Sequence, residues 1–264
     1  MLRALVLGAI FCSGVFVVQA SEVLSSADVL EAGSWAVSVY GQGSETKPQV
    51  KMSGIDAVSV PVSGGMSAVS SNENAEIKME QTVSQVLAAF EFRPSEGLKY
   101  RFKVGQVREF DLEFSSGSQT NKLQASNSGY VWGVGLGGRI APGSIVSTAI
   151  SWDLGYTQTD VSADRFEGGP VVYAVNEQWR QEEYQGSLDF SRRWKAWEPF
   201  AGIKLTHVVN RLMDGSTKRT IGGTNDGISP FIGLQWMVAD KESLVVEGSF
   251  LDEKSLTAGF KVQF

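Results

Sequence analysis

A closed antiparallel β-barrel of about ten strands, an up-and-down meander that crosses a membrane, is the all-β fold this sequence predicts. Three observations carry it. Glycine is abundant (29) and proline scarce (7), and many segments alternate apolar and polar residues with period two, as half-buried strands do. The connections alternate between tight turns and long polar stretches, the asymmetry of a barrel with short turns at one end and loops at the other. In the most regular segments one face is apolar and aromatic along its whole length and carries no charge.

In chain order the expected strands are 34–42, 82–92, 98–113, 129–140, 145–159, 181–192, 197–211, 228–238, 244–250 and 256–264. Tight connections fall at 93–97, 141–144, 193–196 and 239–243, and long ones at 43–81, 114–128, 160–180 and 212–227. The short link 251–254 breaks the alternation. The outward face is Tyr130, Trp132, Val134, Leu136 and Ile140 on the fourth strand, and Val146, Ile150, Trp152, Leu154 and Tyr156 on the fifth. It continues as Trp197, Pro199, Ala201, Ile203 and Leu205 on the seventh and Ile228, Pro230, Ile232, Leu234, Trp236 and Val238 on the eighth.

A soluble sandwich would share the alternation. Gly133, Gly135 and Gly137, which point away from this aromatic face, fit a crowded bore better. Aromatics also gather at two levels: Trp35, Phe92, Trp194, Trp197, Trp236 and Phe264 near the tight turns, and Tyr130, Trp132, Tyr156 and Tyr184 toward the long connections. Amphipathic rings favour such interfacial positions. An open edge would leave backbone amides unpaired in hydrocarbon, so 34–42 is expected to pair with 256–264.

Residues 1–20 read as a secretory leader: Arg3, an apolar run from Ala4 to Val18, and cleavage after Ala20. The run is too short for a helix crossing a bilayer. A short periplasmic segment, 21–33, precedes the barrel domain, 34–264. The only cysteine, Cys12, leaves with the leader, so no disulfide or thiolate metal site is expected. Without Arg3 the formal charge falls from −6 to about −7, which argues against nucleic acid as a partner. No metal-ligand spacing or phosphate-binding loop occurs, and no cofactor is implied.

Leu256, Ala258, Phe260, Val262 and Phe264 alternate with Thr257, Gly259, Lys261 and Gln263. Thr257, Gly259, Val262 and Phe264 also fit a polar-x-Gly-x-x-apolar-x-apolar pattern. This resembles the closing strand of Gram-negative outer-membrane β-barrels, where that pattern is the signal read by the barrel-assembly machinery. The resemblance implies residence in the cell outer membrane, contact with its lipid and passage through that machinery. A monomer is expected.

The inward face is expected to carry Glu91, Lys99, Arg101, Lys103, Arg139, Asp153, Glu183, Asp189, Lys204, Glu247 and Lys261, with Glu198 beside them. Opposite charges alternate and form no ring of one sign, which favours a salt-bridged, occluded bore over a selective pore. Glu91 with Lys99, Glu183 with Lys204 and Glu247 with Lys261 are the expected pairs. The preferred reading is a non-enzymatic barrel serving envelope integrity or surface contact through its external loops. A narrow channel for small polar solutes is the alternative, favoured by Lys99, Arg101 and Lys103. A barrel enzyme using His207, the one histidine, with Asp214 nearby, comes third. In the longest connection, residues 55–62 alternate and could form a contact hairpin or a partial plug.

Overall fold

The computed structural model describes residues 33–46, 49–51, 58–62, 65–69, 76–95, 97–116, 119–141, 148–168, 170–214 and 220–264. The leader at 1–20 and residues 21–32 lie outside these. The strands are β1 (Trp35–Thr46), β2 (Gln49–Lys51), β3 (Val58–Val62), β4 (Gly65–Val69), β5 (Glu76–Ser95), β6 (Leu98–Ser116), β7 (Gln119–Ala141), β8 (Thr148–Gly168), β9 (Val171–Arg192), β10 (Trp197–Asp214), β11 (Thr220–Ala239), β12 (Glu242–Ser249) and β13 (Glu253–Gln263).

Ten of them close an antiparallel ring, β1 and β5 through β13, in which β1 pairs with both β5 and β13. The closing register sets Ala36 opposite Gln263 and Gln42 opposite Thr257. Phe264 seals the seam by stacking on Trp35 at 4.1 Å and donating its N–H to the Trp35 carbonyl at 2.8 Å. Every membrane-level strand thus has two neighbours, the condition for a sheet in hydrocarbon. β2 continues along β5, and β3 with β4 forms a separate hairpin that adds nothing to the ring. Of the alternating stretch 55–62, residues 58–62 are β3, and 55–57 lie outside the described residues.

Strands β5 to β11 run to between 18 and 23 residues, about twice the 9 to 11 that a tilted strand needs to cross a bilayer. Much of what reads in sequence as long polar loops at 114–128, 160–180 and 212–227, and the end of 43–81, is strand. This corrects the sequence expectation, and the cause is a change of solvent. On β6 the outward residues Tyr100, Phe102 and Val104 give way above to Glu109, Asp111 and Glu113, while the inward set passes from Lys99, Arg101 and Lys103 to Phe110, Leu112 and Phe114. Phe102 is 47% exposed and Phe110 only 1%. β8 repeats the inversion, with Trp152, Leu154 and Tyr156 outside, then Gln158 and Asp160, and Val161 and Ala163 turned inside above Asp153.

Where lipid surrounds the wall, apolar residues face out; where water does, they face in. On β6 the switch is made by a bulge, because the register passes from Val107 to Glu109 and leaves Arg108 extra. One inserted residue turns all that follow to the other face. The result is a membrane barrel continued above the bilayer by a water-surrounded cylinder with an apolar core.

The wall is uneven. β12 and β13 span 8 and 11 residues and end at the height where the other strands continue. Above Phe231, among the described residues, β11 has no strand partner on its β12 side. Pro230, which has no N–H to lose, sits where that ladder stops, and its carbonyl takes the Phe250 N–H at 3.0 Å. The Asp252 carboxylate caps the next edge amide, accepting from the Ile228 N–H at 2.8 Å. The barrel therefore has a notch above the β12–β13 turn.

Candidate functional site

The bore is the first place where chemistry collects. Glu91, Lys99, Arg101, Asp153, Asp189, Lys204, Glu247 and Lys261 are buried in it; Lys103, Arg139 and Glu183 are half-buried on the same face. At membrane level the inward acids Glu91, Asp153, Glu183, Asp189, Glu198, Glu247 and Glu253 are matched one for one by Arg93, Lys99, Arg101, Lys103, Arg139, Lys204 and Lys261. Such balance lets the set be buried without a net field that would draw in one sign of ion.

The partners differ from those expected from sequence. Lys261 reaches over β1 to Glu91, Arg101 reaches over β7 to Asp153, and Lys204 crosses β11 and β12 to meet Glu253 at 2.8 Å. The register explains the change: Glu91 stands opposite Arg101, Lys204 opposite Ser187 and Ser229, and Glu247 opposite Thr257, so the expected pairs are displaced along their strands. Curvature brings together strands that are not sequence neighbours.

Large inward side chains are seated against glycine on the adjoining strand. Lys99, Arg101 and Lys103 face Gly137, Gly135 and Gly133; Leu87 faces Gly105, Tyr40 faces Gly259, Phe200 faces Gly233 and Phe231 faces Gly202. A Cβ on Gly233 would lie 2.1 Å from the Phe200 ring. Gly233→Ala should therefore destabilise the barrel by about 1 to 3 kcal/mol through overpacking, and Phe200→Leu in the same chain should recover most of it. Denaturant midpoints of the three variants check this.

Above these rings lies a polar chamber of about 60 Å³, lined by Gln42, Gln85, Lys103, Thr157, Glu183, Thr206, Asn225 and Glu253 among others. That is room for a few waters. Over it Gln81 donates across the bore to Gln181 at 2.7 Å, and Phe110 meets Trp179 at 6.0 Å.

The outer wall carries a second cluster. Cross-strand register sets Tyr156, Tyr184, His207 and Asp226 in one outward row, with Tyr156–Tyr184 at 5.2 Å and Tyr184–His207 at 6.2 Å. His207 Nδ1 lies 2.6 Å from the Asp226 carboxylate. Asp226, missed in the sequence because it falls in a stretch read as loop, is the partner that position 19 residues on supplies through the β10–β11 register. Next above come Glu182 with Arg211 at 3.0 Å and Asp160 with Arg180 at 2.6 Å. The Asp160 hydrogen bond holds the Arg180 guanidinium above its usual pKa. At the other end Trp197 stacks on Trp236 at 5.2 Å.

The two aromatic levels bracket the apolar wall as an interfacial belt does. In 90% of its length the chain superposes on all of the outer-membrane protease OmpT of Escherichia coli, with a TM-score of 0.50 and 12% identity. The fold is the Gram-negative outer-membrane β-barrel. With this fold and this belt the protein sits in the outer membrane, its apolar face against lipid. OprG of Pseudomonas aeruginosa (9% identity, TM-score 0.42, 89% of this chain and 97% of that one) and Ail of Yersinia pestis (10%, 0.31, 88% and 99%) are more distant likenesses. No protein-family model and no curated protein matches the sequence.

In this barrel Thr257 and Gly259 point into the bore, Gly259 against Tyr40, and Val262 and Phe264 lie on the lipid side. Among the described residues no group of His, Cys, Asp and Glu is arranged to hold a metal ion.

Proposed function

We propose that this is a monomeric, non-conducting outer-membrane barrel whose working part is the raised external cylinder, used for surface contact or envelope integrity. The observation that supports the reading is contact across the bore at separate levels: the buried ion pairs Lys261–Glu91, Arg101–Asp153 and Lys204–Glu253 below, and Gln81–Gln181 and Phe110–Trp179 above. The raised wall presents fixed charges such as Arg180, Arg211 and Lys122 on a rigid sheet, a suitable surface for recognition. The assembly signal at Thr257, Gly259, Val262 and Phe264 supports insertion by the barrel-assembly machinery.

In planar bilayers the purified protein is expected to give no steady single-channel steps. Reproducible steps that scale with salt would overturn the reading and favour the narrow channel past Lys99, Arg101 and Lys103. A catalytic role is not proposed: His207 and Asp226 lie on the outer wall, and a His207→Ala variant is expected to keep the envelope phenotype of the parent.

A further inference from the structure

The β9–β10 turn gathers three cations in four residues, Arg192, Arg193, Trp194 and Lys195, in a chain whose formal charge is −6. All four are exposed, and Trp194, at 74%, is more exposed than any other described tryptophan. The bore neutralises its charges pair by pair; this turn does not. Among the described residues none of the three cations makes an ion pair. The preceding turn at this end, 142–147, contains no charged residue, and Asp240 and Glu242 on the β11–β12 turn form no ion pair with these cations.

The turn is also held in shape. Trp194 N–H donates to the Trp197 carbonyl at 2.7 Å and Trp197 N–H donates back at 3.0 Å, closing two residues, Lys195 and Ala196, between them. Met237 N–H on β11 donates to the Ala196 carbonyl at 2.8 Å, and Arg193 Nε points to the Lys195 carbonyl at 3.5 Å. Lys195 stands at φ 57°, a setting that glycine adopts freely and lysine does not. The backbone favours glycine there, and the sequence supplies a cation. Strain kept at an exposed charge points to a use for the side chain.

Depth follows from the strand pattern. Leu188 and Phe190, 50% and 54% exposed, face the hydrocarbon on β9, and Arg192 and then Trp194 are the next residues on that outward side. With Trp197 stacked on Trp236 beside them, the cations stand at the periplasmic aromatic belt, where hydrocarbon ends and lipid phosphates begin. A guanidinium holds phosphate oxygens through a fork of N–H donors, and clustered cations at a bilayer surface favour anionic lipids.

We propose that the β9–β10 turn is a headgroup site for an anionic phospholipid of the periplasmic leaflet. Arg192, at the edge of the hydrocarbon, holds the phosphate, and Trp194 lies against the lipid beside it. Arg193 and Lys195 add the charge that selects the headgroup, because the ammonium of a zwitterionic lipid meets the same three cations and is repelled. Exposed charges are screened, so the preference is about tenfold, less than three cations at a membrane surface contribute in full.

Native mass spectrometry of the detergent-solubilised barrel, offered phosphatidylglycerol and phosphatidylethanolamine of equal chain length, tests the proposal. The parent is expected to retain one phosphatidylglycerol adduct about tenfold over phosphatidylethanolamine. Arg192→Gln with Arg193→Gln should bring the ratio close to one. Lys195→Gly should lower the ratio while raising the denaturant midpoint, since glycine relieves the strain at φ 57°. A merely structural lysine would not split the two readouts in that way. Lys241→Gln removes the same charge from the β11–β12 turn and should leave the ratio unchanged. Heat-modifiable gel migration reports folding of each variant, and Lys195→Gly keeps the test open should the arginine variant fail to fold. Equal retention of the two lipids by the parent, an equal fall in Lys241→Gln, or a ratio unmoved by both turn variants overturns the site. Capture of the parent but not of the arginine variant by peptidoglycan sacculi, with no lipid preference, assigns the turn to the cell wall and overturns the lipid.

Discussion

Lys204→Met is expected to destabilise the barrel by about 3 to 5 kcal/mol, because it strands a carboxylate in the bore. Lys204 is fully buried, and its ammonium meets Glu253 at 2.8 Å from three strands away. Once the pair is inside, its mutual attraction offsets part of the cost of taking both charges out of water, and removing one partner takes that attraction away from the other. Glu253→Gln alone should be damaging for the same reason with the sign reversed. The double variant, Lys204→Met with Glu253→Gln, should lie well above either single one, since neither charge remains. Guanidinium midpoints in detergent, or the temperature at which the folded gel band disappears, give the three values. A double variant as unstable as the sum of the singles would show that the two residues act independently.

The membrane half of this molecule was legible in the sequence because lipid imposes a strict rule on it. Trp132, Leu154, Ile203 and Ile232 had to face out, and that alternation located all ten ring strands and the closing pair of β1 with β13. The cylinder above was not legible. Phe110, Leu112 and Phe114 share even numbering with Phe102, so a continuous strand would turn all of them to the same side. The bulge at Arg108 reverses them, and a single extra residue leaves no mark in the periodicity. Polar outward residues such as Gln158, Asp160, Gln178 and Arg180 then resembled loop, which also hid Asp226 from His207. The ionic partners were hidden for another reason. Lys261–Glu91 and Arg101–Asp153 each pass over an intervening strand, a reach set by the curvature of the closed wall and not by any spacing along the chain. The glycines gave half a signal: Gly133, Gly135 and Gly137 marked a crowded bore, but that Lys103, Arg101 and Lys99 would lie across them follows only from the register.

Trp179→Ala tests whether the inversion makes two structural units out of one continuous sheet. Trp179 is 3% exposed and packs with Phe110, Leu112, Leu123, Val161 and Ala163 in the core of the cylinder, where no lipid supports the wall from outside. Truncating a buried tryptophan costs about 3 to 5 kcal/mol. Below the inversion the same strands are held by the lipid-facing belt, the glycine-seated rings and the buried ion pairs, none of which Trp179 touches. The loss is therefore expected to be local. Trypsin should cut the variant above the belt, at Lys122, Arg180 or Arg211, much faster than the parent, while the membrane barrel keeps its heat-modifiable migration. Tyr184→Ala, on the outer wall at the belt, should leave the cleavage rate near that of the parent. If Trp179→Ala instead unfolds the barrel as a whole, the two halves are one cooperative unit. If cleavage stays slow, the apolar core of the cylinder is not what holds the raised wall together.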